Sequence, residues 1–151
     1  NKKTKSIQES VFRWREYEKA LKLDNVKIYK DFAKRVNKNK KDLYDLIIKL
    51  TKQNKIIYVY GASTRGNTLL QFYSLNNKLI KAAVERNPEK WGKNIASLSI
   101  PIISEREARK ERPDYMLVLP WFFKEEFLLR ERKYLEDGGH FIFPLPKIEI
   151  I

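Results

Sequence analysis

Between Ile56 and Thr68 the chain reads IIYVYGASTRGNT. An apolar run delivers a glycine, a small polar turn and then a second glycine. Residues of these types can hold a phosphate. Gly61 and Gly66 allow backbone to approach a ligand closely. Ser63 and Thr64 offer hydroxyls, and Arg65 offers a planar fork of donors that matches phosphate oxygens. A helix starting within the turn, which runs from Gly61 to Asn67, would add open N–H groups and a positive dipole end. Two further stretches carry candidate ligand groups. In VERNP, Glu85 stands where a ribose-binding carboxylate follows a dinucleotide turn, and Arg86 and Asn87 can donate to an anion. In LPWFF, Trp121 can wall a base or a sugar. Each feature has a structural reading beside the functional one. The glycines permit a tight turn, Pro88 fixes another, and Trp121 caps the core.

Two familiar phosphate templates do not fit. The dinucleotide fingerprint G-x-G-x-x-G needs a glycine where Ser63 stands. The P-loop pattern fits Gly61, Gly66 and Thr68 but puts Asn67 where lysine belongs, and that lysine carries the charge on the phosphates. The third strand also runs into proline rather than a magnesium-binding aspartate. These departures exclude a nucleoside triphosphatase.

The elements that must position the turn are legible from periodicity. KIIYVY is continuously apolar and β-branched, as in a parallel strand buried on both faces. GNTLLQFYSL reads as a helix and LIKAAVE as a second strand. NPEKWGKNIASLS reads as a loop, and IPIIS as a short extended piece. Ser104 and Glu107 form a capping box opening EREARKE, which Pro113 closes. YMLVLP is a third buried strand. FKEEFLLRERKYLED is an amphipathic helix stopped by Gly138-Gly139, and HFIFPL is the last strand. The alternation predicts an α/β fold: a Rossmann-like, mostly parallel sheet over residues 55–151 with flanking helices. Ligands in such sheets bind at the carboxyl ends of the strands. His140 begins the last strand at the opposite end, so it receives no catalytic role.

Residues 1–54 read as an N-terminal helical segment packing on the domain that follows. Ser6 and Glu9 have capping-box spacing ahead of Val11, Trp14, Glu18 and Leu21. From Val26 to Lys52, Tyr29, Phe32, Val36, Leu43, Leu46 and Leu50 form one apolar stripe, with Asn39 filling a slot. Such a stripe packs on a partner, either the following domain or another protomer. The run RVNKNKKD is a point where this helix can kink.

The 151 residues carry a net charge of +13. Residues 1–55 hold 17 Lys/Arg against 7 Asp/Glu, and residues 56–151 hold 15 against 12. A basic N-terminal third is compatible with nucleic-acid binding. No basic–aromatic recognition motif accompanies the charge, so solvated helix faces are the preferred reading. There is no cysteine and one histidine, which excludes disulfides and thiolate metal sites. No apolar run nears the roughly 20 residues of a membrane span, and a cytoplasmic location is the default.

The segments YGASTRGNTLLQFY, VERNPEKWGK, IPIIS, RPDYMLVLPWFFKEEF and GGHFIFPLPKIEII occur in the order seen in a known family. They resemble the C-terminal domain of S-adenosylmethionine-dependent sugar C-methyltransferases. LYDLIIKLTKQNK resembles the helix preceding that domain, so the likeness spans roughly residues 24–151. The resemblance implies a larger enzyme with a zinc-binding domain and a methyl-donor-binding domain upstream. Catalytic residues would lie there, and none is assigned in this chain. By the same resemblance, Gly61, Ser63, Thr64, Arg65, Gly66, Asn67, Glu85, Arg86, Asn87 and Trp121 would help hold a nucleotide-linked sugar against the methyl-donor domain. This chain departs from the family at Glu85, usually aspartate, at Ser97-Leu98-Ser99, often PGT, and at Phe122, commonly Asn or His. A stand-alone nucleotide-binding or interaction module is the alternative.

Overall fold

The structure, a computed structural model, describes residues 8–151. Ser6, the expected capping partner of Glu9, lies outside them. Residues up to Asn37 form one compact unit and Lys38–Ile151 another.

In the first unit, helix α1 (Glu9–Ala20) starts at Gln8 without a side-chain cap and buries none of its residues. A turn leads to helix α2 (Val26–Lys52). Asn25 opens α2, its Oδ1 accepting from the Lys27 N–H at 2.9 Å. The helix runs unbroken through RVNKNKKD. Within that stretch and just beyond it, Lys38–Asp42 and Lys41–Asp45 pair at i,i+4 spacing, which favours helix over a break.

The second unit holds the C-terminal part of α2 and a seven-stranded sheet. Its elements are β1 (Ile57–Tyr60), α3 (Thr64–Phe72), β2 (Ala82–Glu85), β3 (Asn94–Ile95), β4 (Ile100–Ser104), α4 (Glu105–Glu111), β5 (Tyr115–Val118), α5 (Lys124–Arg130), α6 (Arg132–Glu136), β6 (His140–Phe143) and β7 (Glu149–Ile150). The order across the sheet is β3-β4-β2-β1-β5-β6-β7. The five central strands are parallel, and the two-residue edges β3 and β7 are antiparallel. The mostly parallel α/β sheet expected from the alternation is present. The chain steps outward from β1 to β2 and β4, then returns to the other side of β1 with β5 and β6. The direction of winding therefore reverses between β1 and β5, a topological switch point.

Side-chain alternation splits the core into two layers. Ile57 and Val59 face one side of β1, where Leu43, Ile47 and Leu50 of α2 and Leu70 of α3 pack with Leu117 and Ile142. Tyr58 and Tyr60 face the other, with Met116, Val118, Phe141, Phe143 and Phe127 of α5. Leu46 packs at the margin of the first layer, while Ile47, absent from the stripe read in the sequence, is fully buried. Asn39 occupies its stripe position by hydrogen bonding. Its Nδ2 donates to the Pro144 carbonyl at 3.0 Å, and its Oδ1 accepts from the Tyr73 hydroxyl.

The capping box at Ser104 and Glu107 forms in both directions, and α4 ends at Arg112 in the left-handed region, just before Pro113. The amphipathic run after β5 is two helices, broken at Glu131, rather than one. The NPEKWGKNIASLS loop contains a 3₁₀ turn, Pro88–Lys90, and the short strand β3.

Asp114 ties the start of β1 to the start of β5. It accepts the Ile56 N–H at 2.8 Å and the Lys55 ammonium at 2.9 Å. The Ile56 hydrogen bond, and then the lysine, hold its pKa below the usual carboxylate value despite opposing burial. A depressed folded pKa contributes stability that is present above the unfolded value of about 3.9 and is lost as pH falls through the folded value. Asp114→Asn is therefore expected to melt lower than the parent at pH 6, with the gap closing below about pH 4. Melts across that range check it, and a gap of constant size at pH 2 would assign the loss to something other than the carboxylate's charge.

Candidate functional site

β1 delivers the chain to the switch point at Tyr60. Gly61 then turns with φ +91°, and a Cβ there would lie 3.0 Å from Pro120 Cγ. Ser63 is the N-cap of α3, its Oγ accepting from the Gly66 N–H at 3.1 Å. Gly66 is buried against the end of β5, where a Cβ would sit 2.4 Å from Leu119 Cδ1 and 2.9 Å from Leu119 Cβ. Both glycines thus allow the turn and the residues after β5 to approach closely. Among the described residues the N–H groups of Ser63, Thr64 and Arg65 have no hydrogen-bond partner. They add to the positive end of the α3 dipole. Arg65 is exposed, its guanidinium 5.8 Å from the centroid of the Phe122 ring. Asn67 has its Oδ1 buried without a partner.

Glu85, at the end of β2, is already engaged. Its carboxylate accepts from the N–H groups of Ala62 (3.2 Å), Arg86 (2.9 Å) and Asn87 (3.1 Å) and from Lys90 Nζ (3.0 Å). Burial pushes its pKa up, but the Asn87 N–H, Lys90 and the Arg86 N–H more than reverse that and leave it lowered. Glu85 is therefore ionised at neutral pH and pins the β1 turn to the β2 turn. Asn87 caps the 3₁₀ turn, its Oδ1 accepting from the Glu89 N–H. Arg86 reaches Glu105 at 4.0 Å and is largely exposed.

A cleft of about 350 Å³ opens beside the turn. Gly61, Ser63, Glu85 and Arg86 line it, and Thr64, Arg65, Gly66, Asn67, Asn87 and Trp121 do not. Trp121 is half-buried and packs against the Tyr58–Tyr60 layer. His140 stacks on Tyr115 at the opposite ends of the strands, with ring centroids 5.1 Å apart.

The far wall of the cleft comes from α4 and α5 and went unread in the sequence. Phe123, Phe127, Glu105, Glu126 and Arg130 line it, and Arg130 lies 3.7 Å from a carboxylate oxygen of both Glu105 and Glu126. Arg130 donates to the Tyr60 hydroxyl. Tyr60 donates to Glu131 Oε1 at 2.8 Å, and Arg109 Nη2 spans both oxygens of Glu131 at 3.0 and 3.1 Å. Burial, with the Glu131 carboxylate, pushes the Tyr60 pKa up and outweighs Arg130, so the hydroxyl stays protonated. Glu131 is only 4% exposed. Arg130 Nε is buried 3.5 Å from Glu131 Oε1 and makes no hydrogen bond. The signal was available: Arg130 and Glu131 follow Phe123 and Phe127 on the apolar face, where a charge persists only if paired. Among the described residues no group of three His, Cys, Asp or Glu side chains could hold a metal.

A switch-point turn with open amides beside a pinned neighbouring loop can receive an anionic ligand. The family model described as C-methyltransferase C-terminal domain matches residues 1–146. The chain belongs to that family. A relative, C-methyltransferase NovU of Streptomyces niveus, is 32% identical over 123 residues. The alignment takes in 82% of this chain and 29% of NovU, so the chain spans less than a third of that relative's length. Membership of the family and the α/β sheet agree with the resemblance carried by YGASTRGNT and LPWFF. No described helix is long and apolar enough to cross a membrane.

Proposed function

We propose that the chain is the C-terminal domain of a cytoplasmic, S-adenosylmethionine-dependent C-methyltransferase and that the mouth of its sheet helps hold a nucleotide-linked sugar. The methyl donor, the catalytic groups and a zinc site belong to the remainder of the polypeptide in this reading. One observation carries it: the open N–H groups at the start of α3 sit at the switch point beside Arg65, which pairs with no carboxylate among the described residues. That combination attracts phosphate oxygens. Gly61 and Gly66 shape the approach. Ser63 keeps its hydroxyl hydrogen free while its oxygen caps α3. Glu85, occupied by four donors, fixes the loop carrying Arg86 and Asn87 rather than binding ribose. Family membership supplies the chemistry to which such a mouth would contribute.

Arg65→Ala in the full-length protein is expected to weaken binding of a nucleoside-diphosphate sugar about ten- to a hundredfold, the worth of one charged hydrogen bond of about 1.5–3 kcal/mol. Calorimetry measures the affinity, and a melt shows that the variant is folded. Unchanged affinity in a folded variant would make Arg65 a surface charge, and normal binding by Gly66→Ala as well would remove the turn from the substrate site.

A further inference from the structure

The cleft at the turn does not end at Glu85. Glu85, Arg86 and Glu105 also line a second cavity, of about 520 Å³, together with Trp91, Ser104 and Arg106. Glu85 ends β2 and Ser104 ends β4, so the two volumes meet over the carboxyl ends of these neighbouring strands.

Trp91 is a large aromatic left 42% exposed and yet held in place. Its indole Nε1 donates to the Glu85 carbonyl at 2.7 Å. Its loop is fastened on both sides. Lys90 Nζ donates to the Ala62 carbonyl at 2.9 Å and to Glu85 at 3.0 Å. The Gly92 N–H donates to the Ile102 carbonyl at 3.0 Å, and the Lys93 carbonyl accepts from the Ile102 N–H at 2.8 Å. The ring is therefore set before any ligand arrives. A flat ligand can stack on it with little further loss of side-chain freedom. Trp121, read in the sequence as such a wall, packs against the Tyr58–Tyr60 layer and lines neither volume. Arg86 and Arg106 bring positive charge to the rim. Arg106 pairs with no carboxylate among the described residues, and Arg86 has Glu105 at 4.0 Å.

In doubly wound sheets a nucleotide with its phosphates on the turn after the first strand lays its nucleoside across the end of the adjacent strand. Here that strand is β2, and the path from Gly61 over the Glu85 turn leads to Trp91. We propose that Trp91 is the platform on which the base of the nucleotide stacks, in the cavity between β2 and β4. The sugar then lies at the other end, toward Phe123 and Phe127. Arginine donors at the rim suit a base edge that presents carbonyl oxygens, as uracil and thymine do. This rests on reading the sheet mouth as a nucleotide-sugar site and adds which end of the ligand lies where.

The test is calorimetry on the full-length protein with uridine diphosphate, thymidine diphosphate and, as the base-free reference, inorganic pyrophosphate. In the parent, one or both nucleoside diphosphates should bind about tenfold or more tightly than pyrophosphate. Trp91→Leu keeps apolar bulk but no ring, and Trp91→Phe keeps a ring; both lose the indole N–H, so their difference isolates stacking. Trp91→Leu should weaken the nucleoside diphosphates about five- to a hundredfold, the range for one lost base stack, and leave pyrophosphate unchanged. Trp91→Phe should retain most of the affinity. Equal losses for the two variants would overturn the proposal, as would nucleoside diphosphates that bind the parent no better than pyrophosphate. Arg65→Ala is the separate readout for the phosphates and should weaken all three ligands. If it weakens none while Trp91→Leu weakens the nucleoside diphosphates alone, the phosphate assignment falls and the platform stands. The reverse pattern keeps the phosphate assignment and removes the platform.

Discussion

Truncating Ile47 to alanine is expected to destabilise the sheet domain by about 2–5 kcal/mol, the range for deleting a fully buried aliphatic side chain. Ile47 is completely buried in the layer that joins α2 to β1, β5 and β6. The side chain would leave a void, and Asn39 would oppose any collapse into it. Asn39 bonds both Tyr73 and Pro144, which fixes the rotation of the helix. Tyr44, one turn away and 37% exposed, is the control, with Tyr44→Ala expected within about 0.5 kcal/mol of the parent. Denaturant titrations that share one m-value measure both. Equal midpoints for Ile47→Ala and the parent would mean that the helix does not contribute to the core.

The second large effect is expected at Glu131. Glu131→Ala removes the acceptor of Tyr60 and Arg109 and one of the three carboxylates beside Arg130. Breaking a buried ion pair from one side costs roughly 3–5 kcal/mol. Arg109 is half exposed and can turn to water, which puts the expected loss near 3 kcal/mol. Glu131→Gln keeps an acceptor for Tyr60 and should lose less. A double-mutant cycle with Arg109→Ala isolates the pair, and additivity of the two single losses would show that the carboxylate and guanidinium are uncoupled.

Strand β1, its turn and α3 could be read because a buried parallel strand, a glycine turn and an N-cap serine each leave a local mark. The Ser104–Glu107 capping box was legible for the same reason. Strands β3 and β7 are two residues long, too short to show a period. The break at Glu131 hid inside a continuous amphipathic pattern, since Phe127 and Tyr134 keep helical spacing across it. Glu85 lay at a position that suggested a free ligand group. Its four donors come from Ala62, Arg86, Asn87 and Lys90, and no spacing rule announces how three backbone amides will converge. The far wall was missed because Arg130 looked like one more solvent-facing charge among the 32 basic residues.

The fit of Gly66 against Leu119 also decides where the cleft can move. With no room for even one added carbon between α3 and the end of β5, this side behaves as a clamped wall. Sliding α3 would displace Leu119 from the core. The opposite wall hangs on α5, which stops at Glu131 before α6 resumes. The Tyr60–Glu131–Arg109 bonds tie that break to β1 and α4, so the wall is fastened through one buried carboxylate.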